Sequence, residues 1–295
     1  MAGARLMVTV VKRRQTMARL IAGMGTSHVP GVGAAMDNGK THEDYWVELF
    51  KGFEPLRAWH AENTPDVTIV VFNDHATSMS LNHYSTFMMG VGEQFQPADE
   101  GWGPRKVPVV EGHPELAWHI VEDLILNEFD MAVTADFDVD HGLTVPLSIA
   151  YDQPDAWPTK VIPLCVNVIQ YPQPTPLRCF KLGQAIRRAV ESFDEDITVG
   201  IWGTGGLSHQ LGGERAGVVN PDFDKWFLDN LVNDPMANTK LTHTDFIREA
   251  GAEGIEMIMW NVMRGALNDS VRETYRFYHI PVSATAYGAI ILEND

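Results

Sequence analysis

Residues 67–75 read VTIVVFNDH. Six consecutive apolar or β-branched residues, with no polar alternation, form the pattern of a strand covered on both faces, the usual strand of a parallel sheet. The next three residues change character. Asn73 and Asp74 are turn formers, and His75 brings an imidazole to the point where the chain leaves the strand. Comparable runs lie at Arg19–Met24, Met131–Thr134, Val161–Ile169 and Ile197–Trp202, with a further one in Val282–Leu292. Between them, helical segments are predicted at Glu43–His60, Pro114–Glu128, Leu177–Phe193, Phe223–Val232 and Thr244–Met263. Leu177–Phe193 sets Leu182, Ile186 and Val190 four apart, with Arg187 and Arg188 on other faces. Strands alternating with helices predict an α/β fold: a single layered domain with a mostly parallel or mixed sheet and helices on both faces. Ligands of such sheets sit beyond the carboxyl ends of the strands.

The histidines fall there. His28 follows RLIAGMGTS, His75 follows VTIVVFND, His141 follows MAVTADFDVD, and His209 follows ITVGIWGTGGLS. In a parallel sheet all four share one rim. Their neighbours are small or turn-forming, Gly203-Thr204-Gly205-Gly206 above all, which lets the backbone approach a ligand closely. Any one of these alone reads as a loop histidine; four at equivalent strand ends read as a site. Asp74 and Asp140 could be ligands, but beside a histidine such residues are more often turn formers or partners that orient the imidazole. The other seven, His42, His60, His83, His113, His119, His243 and His279, have no such context and are assigned to surface or capping positions.

One carboxylate is out of place. Glu256 lies in EGIEMIMW, an apolar stretch where an ionised group is costly unless it is paired or binds a metal. The alternative is a narrow polar stripe shared with Glu253. Two histidines and a carboxylate make the facial triad of non-haem Fe(II) oxygen enzymes, and the same donors also suit Zn(II) and Mn(II). No H-E-x-x-H, G-x-S-x-G or P-loop pattern occurs, and Gly203–Gly206 reads as a tight turn carrying Ser208 and His209.

Composition narrows the classes further. The chain has 295 residues, 22 basic against 39 acidic, for a net charge of −17. So acidic a protein repels phosphate backbones, which argues against nucleic-acid binding. The apolar runs are too short for a membrane helix. Cys165 and Cys179 support no disulfide framework and suggest reduced thiols in a cytoplasmic protein. Residues 1–16 place their basic cluster after a short apolar run, the wrong order for a secretory signal. They read as a non-core extension ahead of a catalytic domain spanning 17–295.

The segments TSHVPGVGAAMDNGK, FNDHATS, QPADEGWGPRKVPVVEGHPELAWHI, DVDHGLTVPLS, WGTGGLSHQLGGERAGVVN, EGIEMIMWNVMRGAL and FYHIPVSATA occur in this order. Together they resemble the class III extradiol ring-cleaving dioxygenases, with the protocatechuate 4,5-dioxygenase beta chains most similar. The resemblance implies Fe(II) held by His28, His75 and Glu256. It implies His209 as the acid/base, His141 in the dioxygen and substrate pocket, and Ser283 with Thr285 at the ring substituent. The substrates are then O2 and a small aromatic acid, protocatechuate first. Ala284 stands where those beta chains carry Asn, and a methyl cannot donate a hydrogen bond to a carboxylate. Gallate and 3-O-methylgallate are therefore the alternatives, and the stretch LNHYSTFMMGVGEQF also resembles gallate-type relatives. A small helical alpha-type subunit capping the site, in a dimer or an alpha2beta2 assembly, belongs to the same expectation. The alternative of another class is a non-catalytic metal-binding or redox-signalling relative on the same fold.

Overall fold

The structure is a computed structural model that describes residues 17–294; the extension expected at residues 1–16 lies outside the described residues. In chain order the elements are β1 (Arg19–Thr26), α1 (Pro30–Asp37), α2 (Val47–Asn63), β2 (Val67–Phe72), β3 (Phe87–Gly90), β4 (Gln94–Phe95) and β5 (Val110–Glu111). Then come α3 (Pro114–Asn127), β6 (Ala132–Thr134), α4 (His141–Tyr151), β7 (Lys160–Val166), α5 (Pro176–Glu191), β8 (Thr198–Thr204), α6 (Pro221–Asn233) and α7 (Pro235–Thr239). The last are α8 (His243–Ala250), a 3-10 turn (Glu253–Met257), α9 (Ile258–Ala266), β9 (Val271–Val282) and β10 (Thr285–Asn294).

The main sheet has eight strands in the order β6-β3-β7-β2-β8-β1-β10-β9. Its centre, β7-β2-β8-β1, is parallel. β10 and β9 extend one edge antiparallel, and β3 turns antiparallel to β7 on the other. The expected α/β fold, with a mixed and mostly parallel sheet between helices, is what is seen.

β2 shows why its sequence lacks alternation. All six of its residues are buried. Ile69 and Val71 face a core shared with α3, α5 and α9, while Val70 and Phe72 face a second core shared with α2 and α4. Each such side chain removed from water contributes on the order of 1.5–3 kcal/mol, an upper estimate because unfolded chains are not fully extended.

β1, β8 and β2 are neighbours and run in the same direction, so their carboxyl ends open side by side, about 4.8 Å from strand to strand. Three of the histidines follow these three strands. His141 arrives differently. β6 is parallel to β3 and so runs against the central strands; the expectation that His141 follows a strand onto the shared rim is incorrect. Residues 135–140 carry the chain back, and His141 opens α4, with Asp140 as the N-cap accepting from the Gly142 N–H at 2.8 Å.

Other sequence expectations also change. The single helix expected over Thr244–Met263 is broken at Gly251, which has φ 89°. A Cβ there would lie 2.2 Å from the His209 carbonyl oxygen. α8 therefore stops so that the His209 loop can pass. Glu256 sits on the 3-10 turn rather than inside a helix. The strand expected in Val282–Leu292 is present as β10, and it pairs through a turn at Ser283-Ala284 with β9, a strand the sequence reading did not include.

Candidate metal and ring-cleavage site

Beyond the carboxyl ends of β1, β2 and β8 lies a cavity of about 490 Å³, lined among others by His28, His75, His141, His209, Glu256 and Thr285. Ser283 reaches its rim. Every site residue expected from the sequence is thus brought to one cavity.

The turn after β8 is built for close approach. Gly205 has φ 123°, and a Cβ there would lie 2.7 Å from the Glu256 Cβ. At Gly206 a Cβ would meet the His209 ring at 2.6 Å. The Gly206 N–H donates to Oε2 of Glu256 at 2.7 Å. Glu256 is 8% exposed, so the buried reading holds over the solvated stripe. Its carboxylate faces Nε2 of His28 at 3.3 Å, of His75 at 3.8 Å and of His209 at 3.9 Å.

All four imidazoles are held by their Nδ1 atoms. Thr204 Oγ1 lies 3.0 Å from His28 Nδ1 and has carbonyl acceptors in Val71 at 3.0 Å and Gly142 at 3.2 Å. A hydroxyl has one proton, so with that proton on a carbonyl it accepts from His28 Nδ1–H. His75 Nδ1 donates to Oδ2 of Asp140 at 2.9 Å, and the His75 main-chain N–H reaches the same oxygen at 2.7 Å. His209 Nδ1 donates to the Leu207 carbonyl at 2.8 Å. His141 Nδ1 donates to Oε2 of Glu100 at 2.5 Å. Each bond places the proton on Nδ1 and directs an Nε2 lone pair to the cavity, that of His75 lying 3.1 Å from the Asn73 side-chain nitrogen.

The electrostatics agree. Burial lowers the pKa of His28. At His75, burial opposes charge, but the hydrogen bonds and negative charge of Asp140 and Glu256 win and push it up to about 10. At Glu256, burial opposes ionisation, and the facing imidazoles outweigh it, holding the carboxylate well below its usual range. The negative field that favours a proton on His75 equally favours a cation between these groups. Nε2 of His28 is buried and has no hydrogen-bond partner. Such an atom is costly unless something occupies the space it faces. One ring nitrogen from each of His28, His75 and His141 falls within 4.8 Å of the others. The His75 and His141 rings stack at 3.9 Å, and His28 meets both edge-on. Imidazole nitrogens with one carboxylate oxygen fit a divalent transition metal.

The hairpin turn is strapped to this site. The Ala286 N–H donates to the Ser208 carbonyl at 3.0 Å, and His209 bridges to Thr285. Ser283 has φ 58°, and its N–H donates to the Tyr45 hydroxyl at 2.7 Å. Asp74 accepts from the main-chain N–H groups of Thr77, Ser78 and Met79, so it forms the turn, while Asp140 orients His75, as expected. Sequence reasoning missed Thr204, Glu100 and Tyr45. Thr204 lay in the glycine-rich turn but carried no sign that it would meet His28, and the other two approach from distant segments. Of the seven remaining histidines, His113 caps α3. His60 is fully buried against aromatic rings, which corrects its assignment to the surface or a cap.

A model of the family described as the catalytic LigB subunit of aromatic ring-opening dioxygenase matches residues 22–288. The chain belongs to this family. This LigB-family chain is 46% identical over 197 residues to a gallate dioxygenase of Pseudomonas putida, a match covering 67% of the chain and 58% of that protein. It is 28% identical over 204 residues to a 2,3-dihydroxyphenylpropionate/2,3-dihydroxicinnamic acid 1,2-dioxygenase of Photorhabdus laumondii, covering 69% and 60% respectively. The chain thus spans about three-fifths of the length of these two relatives. Among solved structures, an uncharacterized protein from Escherichia coli K12 aligns with a TM-score of 0.59 at 13% identity. That alignment covers 92% of this chain and 99% of the other, and it supports the fold.

Proposed function

We propose that this LigB-family chain carries the iron site of an extradiol dioxygenase that opens the ring of gallate. The reading is supported by four imidazoles and a carboxylate meeting at one cavity, each ring with its Nδ1 engaged. The substrate choice rests on the 46% identity to a gallate dioxygenase. Ala284 beside Ser283 also moves the reading away from protocatechuate, the first expectation.

In this mechanism His28, His75 and Glu256 would hold the metal. Fe(II), when bound, supplies Lewis acidity toward two vicinal ring hydroxyls and a redox path between ring and dioxygen. Nε2 of His209 faces the cavity as an acceptor, so it takes a hydroxyl proton and later returns it. Nε2 of His141, its proton held on Nδ1, accepts a hydrogen bond from the substrate and orients the ring. Thr285 and Ser283 offer hydroxyls to the ring carboxylate. A net charge of −17 repels an aromatic acid at long range, so recruitment is local, from the metal and these donors.

Oxygen uptake by anaerobically iron-loaded protein, with gallate, protocatechuate and 3-O-methylgallate, tests the proposal, alone and with a candidate alpha-type chain. Gallate is expected to give the highest kcat/KM. A preference for protocatechuate would restore the first expectation. No uptake with any phenol in iron-loaded protein would favour the non-catalytic metal-binding reading.

A further inference from the structure

We propose that Glu100 is the positioning residue of His141: it keeps the proton on Nδ1 and aims Nε2 into the cavity. The inference rests on the reading of His141 as a group that meets the reactants. Glu100 comes from the loop between β4 and β5, 41 residues before His141. Its Oε1 accepts the His141 main-chain N–H at 2.9 Å, and its Oε2 accepts Nδ1–H at 2.5 Å. One carboxylate therefore grips the backbone and the ring of the same residue. The two side chains are only 9% and 10% exposed, so water competes little for these bonds.

The ring has no second comfortable orientation. One face stacks on His75 at 3.9 Å. Turning the ring over would set a carbon against the Glu100 carboxylate and forfeit the Nδ1 bond. An ionised carboxylate only accepts, so it selects the Nδ1–H tautomer.

Glu100 is itself held in place. Oδ1 of Asp99 accepts the N–H groups of Gly101 and Gly103, each at 2.9 Å. At the end of the loop, Arg105 forks onto Asp37 with two bonds of 2.9 Å. Glu100 and His141 also border a neighbouring groove of about 440 Å³. Glu100 thus stands behind His141, away from the metal-binding cavity. Its place matches that of Asp140 behind His75.

The test combines nitrogen NMR of histidine-labelled, Zn(II)-substituted protein with kinetics of the Fe(II) enzyme on gallate. His141 of the unaltered protein is expected to carry its proton on Nδ1. Glu100→Gln keeps the size but turns an N–H toward one of the two His141 donors. The Nδ1–H signature should be lost and kcat should fall about 10- to 100-fold, with iron content and thermal midpoint unchanged. KM should move by no more than about threefold. A proton on Nε2 in the unaltered protein overturns the inference without any variant. So does Glu100→Gln with unchanged tautomer and kcat. If the unaltered enzyme turns over no phenol, the proposed function fails, and the NMR arm still decides the role of Glu100.

Discussion

The carboxylate of Asp140 joins two elements: Oδ2 receives Nδ1–H of His75 at 2.9 Å, while Oδ1 receives the Gly142 N–H that starts α4 at 2.8 Å. The loop after β2 and the helix that begins with His141 are therefore fixed to each other through one buried side chain. Asp140→Asn separates its two duties. Asn caps a helix about as well as Asp, so capping is preserved. With the amide oxygen on Gly142, the NH2 group faces the two His75 N–H donors and cannot accept them, and a buried charge near the metal ligands is removed. Iron affinity is expected to fall about 10- to 100-fold, because partners of metal-binding histidines carry that much. The check is metal retention after anaerobic loading and desalting, alongside the denaturant midpoint. Unchanged retention would remove Asp140 from the site.

Glu256 is the proposed ligand least able to be spared. Glu256→Gln keeps the shape and one oxygen but deletes the charge that faces three imidazoles. Stoichiometric iron should be lost on desalting. The fold is expected to persist, because Gln can still accept the Gly206 N–H. Retained iron would move the third ligand to His141, whose ring nitrogen already lies within 4.8 Å of those of His28 and His75.

His209 separates binding from chemistry. It faces Glu256 at 3.9 Å, and in the proposed mechanism it handles a proton rather than the metal. His209→Ala should retain iron and lower kcat by roughly 100-fold or more. Loss of iron together with activity would make it a ligand instead.

Much of this was legible in the sequence. The β2 pattern is legible because burial on both faces demands an unbroken apolar run. The strand-end histidines are legible because the carboxyl rim of adjacent parallel strands is one place in space. α4 is not: buried almost throughout and interrupted by Pro146, it shows no 3.6-residue polar face. β9 is not either: VRETYRFYHIPV sets Arg272 beside Glu273 and Phe277 beside Tyr278, so it lacks the period-two alternation that marks a half-buried strand. Thr204 and Glu100 are invisible for another reason. Their roles depend on pairings across 176 and 41 residues, and a single hydroxyl or carboxylate carries no periodic signal.

His60 gives the fold an acid sensitivity of its own, away from the metal. Its ring is fully buried, with Trp59, Tyr151 and Trp202 at 4.9, 5.4 and 5.3 Å. Nδ1 donates to the Leu56 carbonyl at 3.0 Å, and Nε2 has no partner. Burial lowers its pKa from 6.5 to about 4, opposed only in part by the Leu56 carbonyl. Tyr151 is the one titratable group among the three rings, and burial raises its own pKa, so it stays neutral throughout the acid range. Above pH 6.5 the imidazole is neutral in both folded and unfolded chains and adds no pH dependence. Below it, the unfolded chain binds a proton that the folded chain refuses. Stability should then fall by about 1.4 kcal/mol per pH unit until about pH 4, for a total of about 3 kcal/mol. His60→Leu removes this proton and leaves every other titrating group in place. Denaturant unfolding from pH 7 to pH 4 should therefore show a steeper decline for the natural chain than for the variant, whatever their difference at pH 7. Parallel curves would mean that the ring is protonated in the folded protein and that Nε2 finds an acceptor.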